Sequence, residues 1–319
     1  MSESMKKDRI PLIIIAGPTA SGKSDLAVRL AEQIGGEVIS GDSMQVYKGM
    51  DIGTAKITAE EMRGIPHHLI DVVEPWEPWS VALFVEQASR LAEEICARGA
   101  VPIVCGGTGF YLHALAYGAD FEPEETGGEL RRQLEEQIGT EEGRMKLYAE
   151  LCEADPESAR IIHPNNGKRM IRAIEYYRQT GKRISEHNSR LRLKESPYDL
   201  KYFVLTRPRE ILYERIERRI DRMLEDGLVE EVKKLRDSGC TREMVSMQGL
   251  GYKEILDAMD GVTSMEEAVR ILKRDTRHFA KRQLTWFRRE DAIWINMDAA
   301  DPLEEVLKNI SCGNTSLVV

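Results

Sequence analysis

Leu12-Ile13-Ile14-Ile15-Ala16, followed by Gly17-Pro18-Thr19-Ala20-Ser21-Gly22-Lys23-Ser24, decides the fold of this chain. The unbroken apolar run, mostly β-branched, reads as a strand buried on both faces. The glycine loop after it matches GxxxxGK[ST], and beyond Ser24 the residues take up helical periodicity. In that setting the physics is direct. Successive backbone N–H groups and the start of a helix cradle an anion, Lys23 adds a full positive charge, and the Ser24 hydroxyl is placed to ligate Mg²⁺. The loop therefore binds a phosphate or diphosphate, and the motif does not say whose.

Working outward, Glu37 to Ser40, His68 to Val73 and Val101 to Cys105 read as further strands separated by helical patterns. The clearest of those, Ser80 to Arg98, ends at Gly99 as a helix C-terminus should. Repeated strand, loop and helix is the pattern of a parallel sheet covered by helices. After Gly118 a Glu/Pro/Gly stretch, Phe121 to Gly128, opens a segment to about Ser196 with helical periodicity and no convincing strand. A strand pattern returns at Lys201 to Leu205 and, after three helical stretches, at Ala292 to Asn296. The expected architecture is α/β: a P-loop-containing parallel sheet flanked by helices, built from residues 1–118 and 198–319, with an all-helical insertion domain at 119–197. In the last long helix, Ser264 and Glu267 read as a capping box, and the helix extends to about Arg289. Arg270, Arg274, Arg277, Lys281 and Arg288 fall on one stripe of it, opposite Leu272, Phe279 and Trp286.

The chain has 319 residues, 42% of them apolar, which is enough for a sizeable core and excludes disordered and fibrous classes. Its longest apolar run, Ile10 to Ala16, is far shorter than the roughly 20 residues that span a bilayer, and no signal peptide is read. Cys96, Cys105, Cys152, Cys240 and Cys312 are scattered and form no CxxC, which argues against a disulfide framework or zinc site and for a reducing, cytoplasmic location. With 45 Lys+Arg against 54 Asp+Glu, the net charge of -9 argues by itself against nucleic acid. The local balance reads differently. Residues 161–194 carry nine Lys/Arg against two Glu, residues 270–290 eight against two acids, and residues 120–160 five against thirteen. Two basic surfaces on an acidic body remain compatible with RNA.

Four more motifs bear on chemistry. Ser40-Gly41-Asp42-Ser43-Met44-Gln45 ends the second strand, and ligands gather at the carboxyl ends of strands in open α/β sheets. Asp42 there either accepts a proton from a nucleophile or caps a turn. Gly106-Gly107-Thr108-Gly109-Phe110-Tyr111 is a second glycine turn entering a helix, either near the same anion or present for tight packing. Arg215 and Arg219, one turn apart, suit a shared anion, and Arg169, Arg172 and Tyr176 share a helix face in the insertion; each run reads equally as a solvated charged face. The six histidines show no ligand spacing, and no Ser/His/Asp or Cys/His triad is present.

Taken in order, the motifs resemble the tRNA dimethylallyltransferases, which prenylate the adenosine 3′ of the anticodon. The residues that carry the resemblance are Gly17 to Ser24, Asp42 to Lys56, Pro66 to Asp71, Gly106 to Tyr111, His163 to Arg172, Gly249 to Lys253 and Ala280 to Arg288. Asn166 stands where an acidic or variable residue is common in the family, and Phe110 where Leu is more usual.

The resemblance implies dimethylallyl diphosphate as donor, with Gly17 to Ser24 and Arg215 or Arg219 on the diphosphate and Mg²⁺ at Ser24. It implies Asp42 as general base, with Lys23 and Thr108 as the other catalytic residues. The tRNA anticodon stem-loop is the implied partner, its base extruded and read by Asp42, Ser43, Met44, Gln45 and Thr108. Arg131, Asn166, Gly167, Lys168, Arg169 and Met170 would touch RNA from the insertion, and Gln248, Gly249, Leu250, Gly251, Tyr252 and Lys253 from the other side. No membrane partner is expected, and fold-level analogy suggests a monomer. The competing readings are a small-molecule P-loop kinase with the insertion as its lid, and a nucleotide-gated RNA-binding module.

Overall fold

A computed structural model describes residues 9–118, 128–192 and 195–311 of the chain. The Glu/Pro/Gly stretch read as the start of the insertion lies outside them except for Gly128, as does Cys312. Six strands form one parallel sheet: β1 (Pro11–Ala16), β2 (Gly36–Ser40), β3 (His67–His68), β4 (Val101–Gly106), β5 (Asp199–Thr206) and β6 (Ile293–Asn296). Their spatial order is β3-β2-β4-β1-β5-β6. Leu12, Ile14, Ile15 and Ala16 are fully buried, as an apolar central strand covered on both faces must be. Ala16 pairs with Gly106, and Ser40 with Cys105, so β1, β2 and β4 end level and their loops leave the sheet side by side.

The helices that follow these strands are α1 (Lys23–Ile34), the single turn α2 (Ala59–Met62), α3 (Val81–Ala97) and α4 (Gly109–Ala116). Ser80 caps α3 by accepting from the Leu83 N–H, and Gly99 beyond its end adopts φ 78°, the left-handed backbone that glycine takes at no steric cost.

The described residues divide into two compact units, breaking between Ala116 and Tyr117 and between Glu195 and Ser196. Every regular element described in the second unit is a helix: α5 (Glu129–Ile138), α6 (Glu141–Ala154), α7 (Pro156–Ile161), α8 (Gly167–Thr180) and α9 (Ile184–Arg192). They enclose a core of Leu134, Leu147, Leu151, Met170 and Ile174. Asp155 joins α7 to α9 by accepting from the backbone and hydroxyl of both Ser158 and Ser185. Burial alone would raise its pKa, but these four donors hold the carboxyl below its ordinary range.

The first unit continues through α10 (Arg209–Glu225), α11 (Leu228–Asp237), α12 (Tyr252–Met259), α13 (Met265–Phe287) and α14 (Pro302–Ser311). The segment after β2 packs on these helices, with Val46, Tyr47 and Met50 buried among Leu212, Ile216, Leu228, Tyr252 and Leu272. Glu231 holds that segment in place, accepting from the N–H groups of Asp51, Ile52 and Gly53 and from the Tyr252 hydroxyl at 2.7 Å.

Several expectations need correction. The strand read at His68 to Val73 stops at His68, because Leu69 (φ 58°) and Asp71 (φ 55°) adopt left-handed backbone and the chain turns to bond Val46. Lys56 bonds Asp71 at 2.6 Å and secures the turn. The capping box of α13 is half formed: Ser264 accepts from Glu267 N–H, but the Glu267 carboxylate pairs with Arg270 instead. The buried face of α13 is Ala268, Leu272, Ala280, Gln283 and Phe287, while Phe279 and Trp286 are partly exposed.

Close approach of β2 and β4 depends on two glycines. A Cβ at Gly106 would overlap the carbonyl group of Gly41, and one at Gly41 would lie 2.6 Å from Leu112 Cδ2. Gly106→Ala should therefore cost about 1–3 kcal/mol, as overpacking does when backbone must move. A lowered urea midpoint with an unchanged m-value would show it, and an unchanged midpoint would contradict the packing argument.

Candidate active site

The phosphate loop emerges from β1 with Gly17 at φ 150° and Ala20 at φ 62°, and a Cβ at Gly17 would lie 2.9 Å from Leu205 O. Gly22 is the N-cap of α1 at φ 103° and supplies no side-chain cap, so the first-turn N–H groups keep their anion-binding capacity. Lys23 Nζ folds back onto Pro18 O at 2.8 Å. Ser21 is fully buried, and among the described residues its hydroxyl has no hydrogen-bond partner.

Three arginines converge on this loop. Arg215 Nε donates to Ala20 O at 2.9 Å, and Arg219 Nη1 donates to Thr19 Oγ1 at 3.2 Å, so both of the arginines singled out from sequence reach it. The third, Arg207, was missed: its Nε donates to Ser21 O at 3.0 Å, and its Nη1 pairs with Asp298. It follows Thr206 at the carboxyl end of β5, which is a position that the strand-end rule marks. Desolvation, with Arg219 adding to it, pushes the Lys23 ammonium down to about 8 against the opposing pull of Cys105 and Asp42. Burial likewise lowers the Arg219 guanidinium, and Asp42 opposes it. The loop is thus a partly dehydrated cluster of cations, and an arriving dianion would recover the cost of holding it together.

Asp42 sits at the end of β2 and does form a turn: its Oδ1 accepts from Met44 N–H at 2.8 Å, and its own N–H donates to Ser40 Oγ at 3.4 Å. Among the described residues its Oδ2 accepts no hydrogen bond, which leaves one carboxylate oxygen for a substrate. The turn-capping reading of Asp42 is thus seen directly, and the turn leaves its second carboxylate oxygen available. Thr108 Oγ1 accepts from Ser43 N–H at 3.1 Å and donates to Ser43 Oγ at 3.3 Å, tying the second glycine turn to the residue beside Asp42. Gln45 is spent on structure, accepting from Ser40 Oγ and donating to Thr54 O and Ala55 O. Gln283, also missed, lies 6% exposed on α13, where it accepts from Thr19 N–H and donates to Gly107 O, each at 2.9 Å. The spacing of Ala280, Gln283 and Phe287 puts it on the buried stripe, and a polar residue there was the available signal.

The expected RNA contacts divide. Gly249 packs on Met44, with a Cβ there 2.7 Å from Met44 Cε, so the segment from Gln248 lies beside the Asp42 turn. Gln248 is exposed, and Leu250 and Lys253 are partly so. Tyr252 is a correction: at 1% exposure, with its hydroxyl on Glu231, it is a core residue, and Gly251 is buried beside it. Met170 is a second correction, because it is fully buried in the core of the insertion. There too Asn166 caps α8 through Arg169 N–H, Lys168 and Arg169 are exposed, and Tyr176 is buried and shares no exposed face with them. Arg131 donates to Glu175 at 2.9 Å and to Glu135 at 3.2 Å, so it already balances a buried carboxylate. On α13, Arg270, Arg274 and Arg277 pair with Glu267, Asp275 and Glu217, which neutralises the upper part of the basic stripe and leaves Lys281 and Arg288 exposed.

Comparison with known proteins agrees over most of the chain. The family described as IPP transferase matches residues 45–290, and the family described as isopentenyl transferase matches residues 10–72. The tRNA dimethylallyltransferase of Lachnoclostridium phytofermentans is 55% identical over 287 residues, which cover 90% of this chain and 91% of that protein. A crystal structure of the tRNA isopentenylpyrophosphate transferase from Bacillus halodurans is 45% identical, with TM-score 0.71, over 95% of this chain and 96% of that one. A eukaryotic dimethylallyltransferase acting on tRNA, captured in crystallographic snapshots, is 32% identical with TM-score 0.76, over 90% of this chain and 74% of that one.

Because Lys23 loses its proton as pH rises through about 8, its contribution to anion binding is present below that pH and lost above it. The ratio of wild-type to Lys23→Met affinity for inorganic diphosphate should fall by up to about tenfold per pH unit above 8, and calorimetry reads it. The folded pKa lies below the 10.5 of the unfolded chain, so Lys23 destabilises the fold below pH 8, and that cost fades towards 10.5. Lys23→Met should therefore raise Tm at pH 7 by roughly 2–4 °C.

Proposed function

Because the chain belongs to the IPP transferase family, the tRNA-modifying prenyltransferases, we propose that its first unit moves a dimethylallyl group from dimethylallyl diphosphate to N6 of the adenosine 3′ of a tRNA anticodon. The observation that carries the reading is the convergence of an uncapped helix start, Lys23, Arg207, Arg215 and Arg219 on one loop, with Asp42 and Thr108 at the neighbouring strand ends. A kinase also needs the loop, but relatives matched along nearly the full length are prenyltransferases.

In the proposed step the adenine N6 lone pair attacks C1 of the donor. The C1–O bond breaks, its electron pair leaves on the diphosphate, and the N6 proton passes to the unoccupied oxygen of Asp42. The loop from Gly17 to Ser24 receives the leaving diphosphate, and Lys23 and the arginines meet its charge as it develops. The Ser21 hydroxyl, buried without a partner among the described residues, is a further donor for that anion. Thr108 sets the Asp42 turn through Ser43.

Mg²⁺ fits this site as a companion of the diphosphate. Among the described residues no group of three or more His, Cys, Asp or Glu could hold an ion alone, and Ser24 offers an exposed neutral hydroxyl on the first turn of α1. Ser24 would hold the ion there, and the chemistry it would supply is neutralising charge for the leaving group.

For the RNA, the supported contacts are Ser43, Met44 and Thr108 at the extruded base, with Gln248 to Leu250 and Lys253 beside them, whereas the amide of Gln45 is taken up by Ser40, Thr54 and Ala55. Asn166, Gly167, Lys168 and Arg169 serve the anticodon stem-loop from the insertion. Among the described residues no helix is long and apolar enough to cross a membrane. A tRNA substrate and a monomer working in the cytoplasm complete the reading.

Asp42→Asn should lower single-turnover prenyl transfer by about 10²–10⁴-fold, the usual yield of a positioned base, while tRNA affinity stays within about threefold. Transfer rates from labelled donor, beside filter-binding affinities, separate the two. Near-normal turnover would remove Asp42 as proton acceptor.

A further inference from the structure

We propose that Gln283 is a positioning residue for the transfer step, holding the donor loop and the Asp42 turn at a fixed separation through one continuous hydrogen-bonded chain. This role rests on the prenyl-transfer reading. Gln283 Oε1 accepts from Thr19 N–H in the phosphate loop, and its Nε2 donates to Gly107 O in the second glycine turn, each at 2.9 Å. The next residue, Thr108, accepts from Ser43 N–H at 3.1 Å, and Ser43 adjoins Asp42. Donor site and proton acceptor, which leave the sheet on different strands, are thereby joined by a single side chain from a third element.

The amide orientation follows from its partners, because a backbone N–H only donates and a carbonyl only accepts. Its rotamer is held by burial: Gln283 is 6% exposed, with Ala280 and Phe287 fully buried on the same face of α13. A Cβ at Gly107 would overlap Gln283 Nε2, so the glycine turn and the glutamine must be chosen together. Thr19 also receives the guanidinium of Arg219 on its hydroxyl at 3.2 Å, so the residue that Gln283 fixes is itself part of the anion site. Both ends of the amide are taken up by protein backbone, which separates this role from direct catalysis.

Gln283→Met keeps volume and removes both hydrogen bonds, and Gln283→Glu keeps an acceptor for Thr19 N–H but turns an oxygen towards Gly107 O. Each should lower kcat by about 10–100-fold, the scale of a reacting-group displacement near 1 Å, while the KM values for donor and tRNA stay within about threefold. For Gln283→Met the shape of the pH–rate profile should be kept, since that variant adds and removes no titrating group. In a cycle with Thr108→Val, the double variant should lose little more than the worse single one, because both cut the same chain. Far-UV circular dichroism and Tm identify a variant that fails to fold, and the other member of the pair then carries the test. An unchanged kcat, a loss confined to donor KM, or losses that multiply in the cycle would each overturn the role. A wild-type protein that moves no prenyl group would instead overturn the transferase reading and this role with it.

Discussion

The site depends on how closely two peptide units without side chains approach each other. Gly41, just beyond β2, donates its N–H to Cys105 O at 2.8 Å, and Gly106 ends β4 with no space for a Cβ against it. That contact closes the carboxyl edge of the sheet, so that the Asp42 turn, the Thr108 turn and the phosphate loop open into one place. Parallel pairing keeps the strand ends level. The larger loops then have only to stay where the strands leave them, and the Glu231, Lys56 and Gln45 bonds do this for the segment from Asp42 to Lys56.

Electrostatics explain why such a site is held rather than relaxed. Four cationic side chains crowd one short loop, and burial lowers the pKa of Lys23, Arg215 and Arg219. Without an anion this arrangement costs stability; with a diphosphate leaving group it matches the charge that forms. Asp42 lies close enough to oppose the lowering at both Lys23 and Arg219, so one carboxylate is both a counter-charge of the cationic cluster and the proposed proton acceptor. The chemistry assigned to the site and the stability of the fold therefore pull in opposite directions at the same residues, as is usual where charge is pre-organised.

Much of this was legible in the residues. The run Leu12 to Ala16 and the loop after it specify both the central strand and the anion site, because apolar run, glycine spacing and Lys23 each have one local meaning. Arg215 and Arg219 were legible as a pair one turn apart, but not their reach to Ala20 and Thr19, which the packing of α10 supplies. Features decided by distant partners were not. Leu69 and Asp71 take left-handed backbone because the chain turns back to Val46 and Lys56, which no strand propensity reveals. Tyr252 and Met170 belong to matching motifs, but a motif does not distinguish a residue that touches a ligand from one that holds the motif in place, and burial does. The basic stripe of α13 was visible as spacing, whereas its neutralisation by Glu217 required knowing that α10 packs beside it. Gln283 was hidden among eight Lys/Arg of residues 270–290, although its register with Ala280 and Phe287 marked it as inward-facing.

The central claim is that this phosphate loop receives a diphosphate leaving group while carbon, not phosphorus, is transferred. It is tested most directly with dimethylallyl diphosphate carrying ¹³C at C1 and ¹⁸O in the bridging position, incubated with unmodified tRNA and the full chain. The account predicts that the ¹³C becomes bonded to adenine N6 and that all of the bridging ¹⁸O leaves with the diphosphate. Phosphorus found in the RNA, or ¹⁸O retained on the prenyl group, would contradict it.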